Sequence, residues 1–151
     1  MIGDGPVAGA DKIFVTRHIG NRPCTNVDEV ERLFAAAGFT IVSPQDLSIP
    51  GQVATFAAAR VVAGFGGAGM FNLVYSHAVE TVIVLNQWAY EARNEHLFAA
   101  VHGARLHSFW SAPFVDHPPG GSSYDAHQSG WTFDMEHLEQ PLRALLESLP
   151  D

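Results

Sequence analysis

Residues 61–72 carry the sequence VVAGFGGAGMFN. It begins as a short apolar run rich in β-branched residues, and four glycines follow between Gly64 and Gly69. A new apolar segment opens at Met70. The pattern predicts a strand, a tight glycine turn and the start of a helix. Backbone N–H groups approach a ligand closely at such a turn, and a helix N-terminus favours negative charge, so the stretch predicts an anion site.

The rest of the chain repeats this alternation. Strands are predicted at Lys12–Thr16, Phe39–Val42, Arg60–Gly64, Thr81–Leu85 and Arg105–Trp110. Helices are predicted from Val27, from Ser48 or Pro50, over Met70–His77, over Glu91–His102 and over the leucine stripe near the C-terminus. Alternating strands and helices predict an α/β fold, a Rossmann-like parallel sheet of about five strands with helices on both faces.

Local signals add more specific predictions. Asn26 with Glu29 three residues later predicts a capping box for the first helix. Residues 111–133 form a long Pro/Gly/Ser/His segment, which predicts a functional or mobile loop. Pro141 is expected to start or kink the last helix. The length favours one domain over residues 12–151, after a flexible lead-in over residues 1–11.

Composition excludes several classes of protein. The net charge of −8 argues against a broad nucleic-acid surface, which needs a basic face. No apolar run approaches the roughly 20 residues of a membrane helix, and the N-terminal residues lack the features of a signal peptide. The single Cys24 fits a reducing compartment. These observations predict a cytoplasmic protein with no membrane span and no nucleic-acid partner.

The charge is unevenly distributed along the chain. Residues 1–76 hold five of the eight Lys and Arg residues and six of the sixteen Asp and Glu residues, a net charge of −1, whereas residues 77–151 carry −7. The basic residues therefore lie mostly in the half that contains the glycine turn. This balance favours a small anionic ligand over a polyanion.

The predicted topology brings several polar side chains to one edge of the sheet. The carboxyl ends of parallel strands meet there, so Arg17 and Arg22 are expected near the glycine turn. Arginine suits bidentate recognition of phosphate. His18, directly after Arg17, is a candidate general acid or base. Gln52 and Asn72 lie in the first turns of predicted helices, where each can reach a ligand or close local backbone bonds.

Other interpretations of the glycine turn stay open. Gly64, Gly66 and Gly69 match the G-x-G-x-x-G fingerprint, which favours an NAD(P)-binding oxidoreductase half-domain. The fingerprint follows the third strand here rather than the first, and the next strand ends in Asn86 instead of a carboxylate. The glycines can also serve only a tight turn in a non-catalytic Rossmann-like interaction module. The eight histidines lack close ligand spacing, so no metal site is predicted.

An ordered series of motifs runs through the first two thirds of the chain. It comprises Lys12–Arg17, Arg22, Asn26, Glu29, Gly38–Phe39, Pro44, Leu47–Ser48, Gln52, Ala59, Gly64, Gly67–Gly69 and Asn72–Leu73. The series resembles the C-terminal part of glycosyltransferase family 61 and extends over about residues 12–110. This family includes bacterial capsular-polysaccharide-type transferases, plant xylosyl- and arabinosyltransferases, and O-linked GlcNAc transferases.

The resemblance implies the C-terminal half of a GT-B enzyme of polysaccharide biosynthesis, with two Rossmann-like domains around the active site. The family inverts the anomeric carbon without a metal or a tightly bound cofactor. The C-terminal domain holds the nucleotide-sugar donor, expected here to be a UDP-sugar. On this resemblance Arg17, Arg22, the turn Gly66–Gly67–Ala68–Gly69, Asn72 and Gln52 bind the donor, and His18 is the catalytic candidate.

The chain departs from the family pattern in two ways. The family usually carries a histidine where Gly66 stands here, so a side chain able to donate to phosphate is missing. The chain is also too short for both domains. We therefore expect it to be inactive without an N-terminal acceptor domain from the same or another chain, and we add a homodimer as a further partner prediction.

Overall fold

The computed structural model describes residues 9–18 and 20–150. Its five strands are β1 (Lys12–Val15), β2 (Thr40–Val42), β3 (Val61–Phe65), β4 (Thr81–Gln87) and β5 (Arg105–Ser111). They form one sheet in the order β2-β1-β3-β4-β5, and every pairing is parallel. The predicted α/β, Rossmann-like fold is confirmed. Residues 1–8 of the predicted lead-in lie outside the described residues.

Helices cover both faces of this sheet. They are α1 (Val27–Ala36), α2 (Ile49–Ala58), α3 (Asn94–His102), α4 (Tyr124–His127) and α5 (Met135–Ser148), with 3-10 helices at Pro44–Asp46 and Ala68–Tyr75. On one face α1 and α5 pack around Phe14, whose ring stacks on Phe34 at 4.3 Å between ring centroids. On the other face α2, α3 and the Ala68–Tyr75 helix pack around Ile13 and Val62. Burial on both faces explains the unbroken apolar run of β3.

The strand order creates a crevice at one edge of the sheet. The order reverses between β1 and β3, because β2 lies on one side of this pair and β4 on the other. Ligands of such sheets bind outside the carboxyl ends of the strands at this point of reversal. Arg17 lies just after β1, and the glycine turn Gly66–Gly69 lies just after β3. The fold therefore places both predicted features at the crevice.

The short helix predicted over Met70–His77 is present but lies two residues earlier in the chain, over Ala68–Tyr75, and it is a 3-10 helix. Met70 and Leu73, three residues apart, are both completely buried between α2 and α3. A 3-10 helix repeats every three residues, so it places both side chains on the same face.

The capping box predicted at Asn26 is also wrong. The Asn26 side chain accepts a hydrogen bond from the Phe133 N–H at 2.9 Å and donates one to the Phe133 carbonyl oxygen at 3.0 Å. It makes no side-chain cap of α1. Two bonds to a distant backbone segment thus replace the local cap, and they fix the start of α1 to the chain just before α5.

The long segment 111–133 is anchored rather than free. It contains α4, and the Nε2 of the buried Gln87 donates to the Ala126 carbonyl oxygen at 3.2 Å. Trp131 is completely buried. Pro141 does not start α5, which begins at Met135 after the Asp134 cap and contains the proline in its interior. Within the described ranges, no helix is long and apolar enough to cross a bilayer.

Candidate anion-binding site

Two arginine side chains converge on the glycine turn. Arg17 donates from Nη1 to the Gly66 carbonyl oxygen at 3.4 Å and from Nη2 to the Arg22 carbonyl oxygen at 3.0 Å. Gly67 has a φ of 138°, and a β-carbon there would lie 2.9 Å from Arg17 Nη1 and from Arg22 Nη2. Only glycine adopts this conformation readily and leaves room for both guanidinium groups. The turn and the arginine pair therefore form one unit.

The position of Arg22 depends on distant parts of the chain. Its backbone has a φ of 58°, in the left-handed region that non-glycine residues rarely occupy. The indole Nε1 of Trp131 donates to the Arg22 carbonyl oxygen at 3.2 Å, and the Trp131 N–H donates to the Pro23 carbonyl oxygen at 3.0 Å. The guanidinium group lies over the Tyr90 ring, 3.9 Å from its centroid. Backbone bonds and a cation–π contact thus hold this side chain in place.

The pKa values of both arginines are lowered. Burial and the charge of Arg22 lower the pKa of Arg17 to about 10, and burial lowers the pKa of Arg22 as well. Arg17 still carries its charge at neutral pH. Arg22 is only 8% exposed, and among residues 9–18 and 20–150 its Nε has no hydrogen-bond partner. Two like charges that are partly or fully removed from water are costly to keep together without an anion nearby, and such pairs are typical of binding sites.

A buried carboxylate lies on the other side of the turn. Glu95, at the start of α3, is 2% exposed, and its Oε1 accepts the Gly67 N–H at 2.6 Å. Its negative charge raises the pKa of both Arg17 and Arg22 and so partly offsets the effect of burial. The cluster of two guanidinium groups and one carboxylate carries a net charge of +1.

A cavity of about 430 Å³ opens beside this cluster. Its walls come from the loops after β1 and β3, from the segment after β2 and from α2. The lining residues are Val15, Thr16, Arg17, Gly20, Asn21, Arg22, Pro44, Gln45, Gln52, Phe65, Ala68, Gly69 and Asn72. The volume lies within the range of ligand pockets.

A second cavity, of about 560 Å³, lies at the opposite edge of the sheet. Its Arg60 is partly exposed and forms a salt bridge with Glu80 at 3.0 Å, and an Asp11 carboxylate oxygen lies 3.7 Å from Arg60 Nη1. The carboxylates of Asp11 and Glu80 balance the two arginines that line the larger cavity, Arg60 and Arg105, whereas Arg17 and Arg22 line the smaller one with no carboxylate among its described lining residues. We take the smaller cavity as the candidate site.

The other predicted site residues differ in their placement. Gln52 and Asn72 line the cavity, and each also closes a local backbone bond, to the Leu47 carbonyl oxygen and the Gly69 carbonyl oxygen, both at 3.2 Å. His18 is not among the lining residues. Its half-exposed ring lies 2.7 Å from a carboxylate oxygen of Glu31. A catalytic role for His18 stays a prediction.

A side chain would be crowded at three glycines of the predicted fingerprint, most of all at Gly64, where it would meet backbone. A β-carbon would lie 2.6 Å from the Val15 carbonyl oxygen at Gly64, 2.2 Å from Asn86 Nδ2 at Gly66, and 3.0 Å from Val15 Cγ1 at Gly69. Asn86 is buried, and its Oδ1 accepts the Gln87 N–H at 2.9 Å. The G-x-G-x-x-G spacing therefore reflects close packing of the turn against β1 and β4, and Asn86 does not face the cavity where a ribose would bind.

One side-chain group could hold a metal ion within the described part of the chain. It consists of His18, Asp28 and Glu31, whose ligating atoms lie within 4.8 Å of one another. Glu31 also accepts a hydrogen bond from the Thr16 hydroxyl. The group was not predicted from sequence, since its members come from a loop and a helix with no recognisable spacing. The predicted absence of a bound metal stays a prediction.

The sequence matches the model of one protein family. The model of glycosyltransferase 61 matches residues 6–84, which is more than half of the sequence. The chain belongs to glycosyltransferase family 61. No curated protein matches the sequence significantly. The resemblance predicted from the motifs is confirmed, although the match ends at Val84, before the predicted limit near residue 110.

The family match contains the arginines and the glycine turn but not the residues that hold them. Tyr90, Glu95 and Trp131 all lie beyond Val84. These three residues could not be recognised from the sequence, because none of them belongs to a local motif. The one sequence feature that could have pointed to the site is that Tyr90 and Glu95 follow the carboxyl end of β4, where ligands of parallel sheets bind.

The packing at Gly66 gives a first testable prediction. Gly66→Ala is expected to lower the free energy of unfolding by about 2 kcal/mol, because the new methyl group overlaps the Asn86 side chain. Most of this loss should disappear when Gly66→Ala is made in an Asn86→Ala background. Urea denaturation of the four proteins of this double-mutant cycle measures the coupling. Simple additivity of the two losses would show that Asn86 does not exclude a side chain at position 66.

Proposed function

We propose that this chain is the donor-binding domain of an inverting, metal-independent glycosyltransferase, and that it binds a UDP-sugar at the carboxyl edge of its sheet. The observation that carries the proposal is the pair of guanidinium groups at the glycine turn, of which Arg22 is buried and Arg17 partly buried, with Arg22 Nε left without a protein acceptor among the described residues. A diphosphate supplies negative charge opposite the pair and acceptors for the guanidinium groups that line the cavity.

The proposed chemistry is electrostatic. Charge develops on the leaving diphosphate during sugar transfer, and without a metal ion the protein must neutralise it. Arg17 and Arg22 provide positive charge at a site that is partly shielded from water. The N–H groups of Ala68 and Gly69 open the 3-10 helix, where the first amides have no partner within the helix. Gln52 and Asn72 line the same cavity and complete the proposed donor contacts.

Sugar transfer requires a second domain in this proposal. The acceptor and the base that activates it are expected on an N-terminal domain of the same or another chain. We also keep the cytoplasmic location, the role in polysaccharide biosynthesis and a homodimer as parts of the proposal. Sugar transfer catalysed by this chain alone would refute the requirement for a second domain.

Calorimetric titration with UDP, UDP-GlcNAc and NADH tests the ligand class. We expect UDP and UDP-GlcNAc to bind to the unaltered chain and to Arg143→Ala, an exposed arginine on α5, but not to Arg17→Ala. Binding of NADH alone would favour the oxidoreductase alternative. A chain that dimerises and binds none of the three at millimolar concentration would instead be an interaction module.

A further inference from the structure

The Gly67 amide is already occupied in the structure. The Gly67 N–H points to Oε1 of Glu95 at 2.6 Å, inside the protein. Arg17 and Arg22 line the cavity, whereas Gly67 does not. An external anion therefore contacts the arginines, while the amide at the centre of the turn stays with Glu95.

Glu95 is placed to act on the arginine pair through space. No N···O distance within 4.0 Å joins it to Arg17 or Arg22 in the described part of the chain, yet its charge influences both. It is 2% exposed, so water screens this influence weakly. The carboxylate thus lowers the positive potential of the site without blocking the guanidinium donors.

We propose that Glu95 is a positioning residue that holds the glycine turn through the Gly67 amide and, as a built-in counter-anion, limits how tightly the arginine pair binds a diphosphate. Without Glu95, the arginine pair would bind the nucleotide product more tightly and release that product more slowly. This inference rests on the proposed function for the identity of the ligand, but its electrostatic part applies to any small polyphosphate.

Glu95→Gln separates the two roles. The glutamine oxygen still accepts the Gly67 N–H, whereas the net charge of the cluster rises from +1 to +2. We expect inorganic pyrophosphate and UDP to bind about five- to tenfold more tightly, with a steeper loss of affinity as salt increases. Glu95→Ala removes the acceptor as well, so we expect the turn to loosen and the gain in affinity to be lost.

Calorimetry with pyrophosphate and with UDP measures these effects. Glu139→Gln is the matched control, because it changes the net charge of the chain equally but lies on α5 in an exposed pair with Arg143. Its affinities should equal those of the unaltered chain. Equal affinities for Glu95→Gln and the unaltered chain would overturn the inference and leave the proposed function standing. Tighter pyrophosphate binding by Glu95→Gln without UDP binding by any variant would support Glu95 and overturn the UDP proposal.

Hydrogen exchange on the unaltered chain keeps the inference testable even if a variant fails to fold. The Gly67 amide is expected to exchange slowly, and saturating pyrophosphate should leave its exchange rate and NMR position nearly unchanged. The Ala68 and Gly69 amides should respond to the ligand. A Gly67 amide that exchanges freely, or that responds most strongly, would show that Glu95 does not hold it.

Discussion

Replacing Arg17 with methionine is expected to weaken UDP binding at least about a hundredfold and to change the free energy of unfolding of the ligand-free chain by less than about 1 kcal/mol. Methionine fills much of the same space without charge. The change removes the repulsion from Arg22, which offsets the two hydrogen bonds lost. The Arg22 carbonyl oxygen keeps its bond from Trp131 at 3.2 Å.

Calorimetry and urea denaturation of the same preparations separate binding from stability. Arg143→Met serves as the control, because Arg143 is half exposed and pairs with Glu139 on α5. It should bind UDP as the unaltered chain does. A large loss of stability in Arg17→Met, in proportion to its loss of binding, would mean that Arg17 serves the fold rather than a ligand.

The largest loss of stability is expected for Gly64→Ala. A β-carbon there would lie 2.6 Å from the Val15 carbonyl oxygen and 2.8 Å from Met70 Sδ. The Val15 oxygen belongs to the neighbouring strand, so it cannot move without disturbing the sheet. We expect a loss of about 3 kcal/mol or more and a fall in melting temperature of about 6–12 °C, measured by thermal denaturation.

Gly121→Ala is the matched control for this substitution. Its β-carbon would make ordinary contact with Pro118 at 3.8 Å. The melting temperature should therefore stay within about 1–2 °C of the unaltered chain. Equal and small effects of the two substitutions would contradict the close approach of β1 and β3 at Gly64.

Much of the fold follows from local sequence. The strands are apolar runs that end in polar or glycine-rich segments, and their parallel order follows from the helices between them. The start of α2 was predicted at Ser48 or Pro50. The Ser48 hydroxyl caps this helix by accepting a hydrogen bond from the Gly51 N–H at 3.3 Å, which agrees with the first of these. Gly103 ends α3 with a φ of 65°, as a C-terminal glycine is expected to do.

The errors arose where distant contacts replaced local preferences. Asn26 has the residue type and spacing of a cap but bonds to Phe133, which is far away in sequence. The segment after the glycine turn has a helical composition, but burial of Met70 and Leu73 selects the three-residue period of a 3-10 helix. Single-sequence reasoning has no access to these pairings.

In the candidate site, too, some features follow from local sequence and others depend on distant contacts. Arg17 and Arg22 were identified because arginines after a strand suggest phosphate recognition, and the structure brings both to Gly67. The burial of Arg22, its contact with Tyr90 and its support by Trp131 depend on residues far along the chain. The charge that tunes the pair, on Glu95, looks in sequence like an ordinary residue of a surface helix.

On the proposed function, a diphosphate binds between the arginine pair and the first amides of the 3-10 helix. An NMR titration of the isotope-labelled chain with UDP tests it most directly. We expect the largest shifts at the Ala68 and Gly69 amides and at the Nε–H signals of Arg17 and Arg22. Shifts centred instead on Arg60 and Glu80 at the opposite edge of the sheet, or no shifts at millimolar UDP, would contradict it.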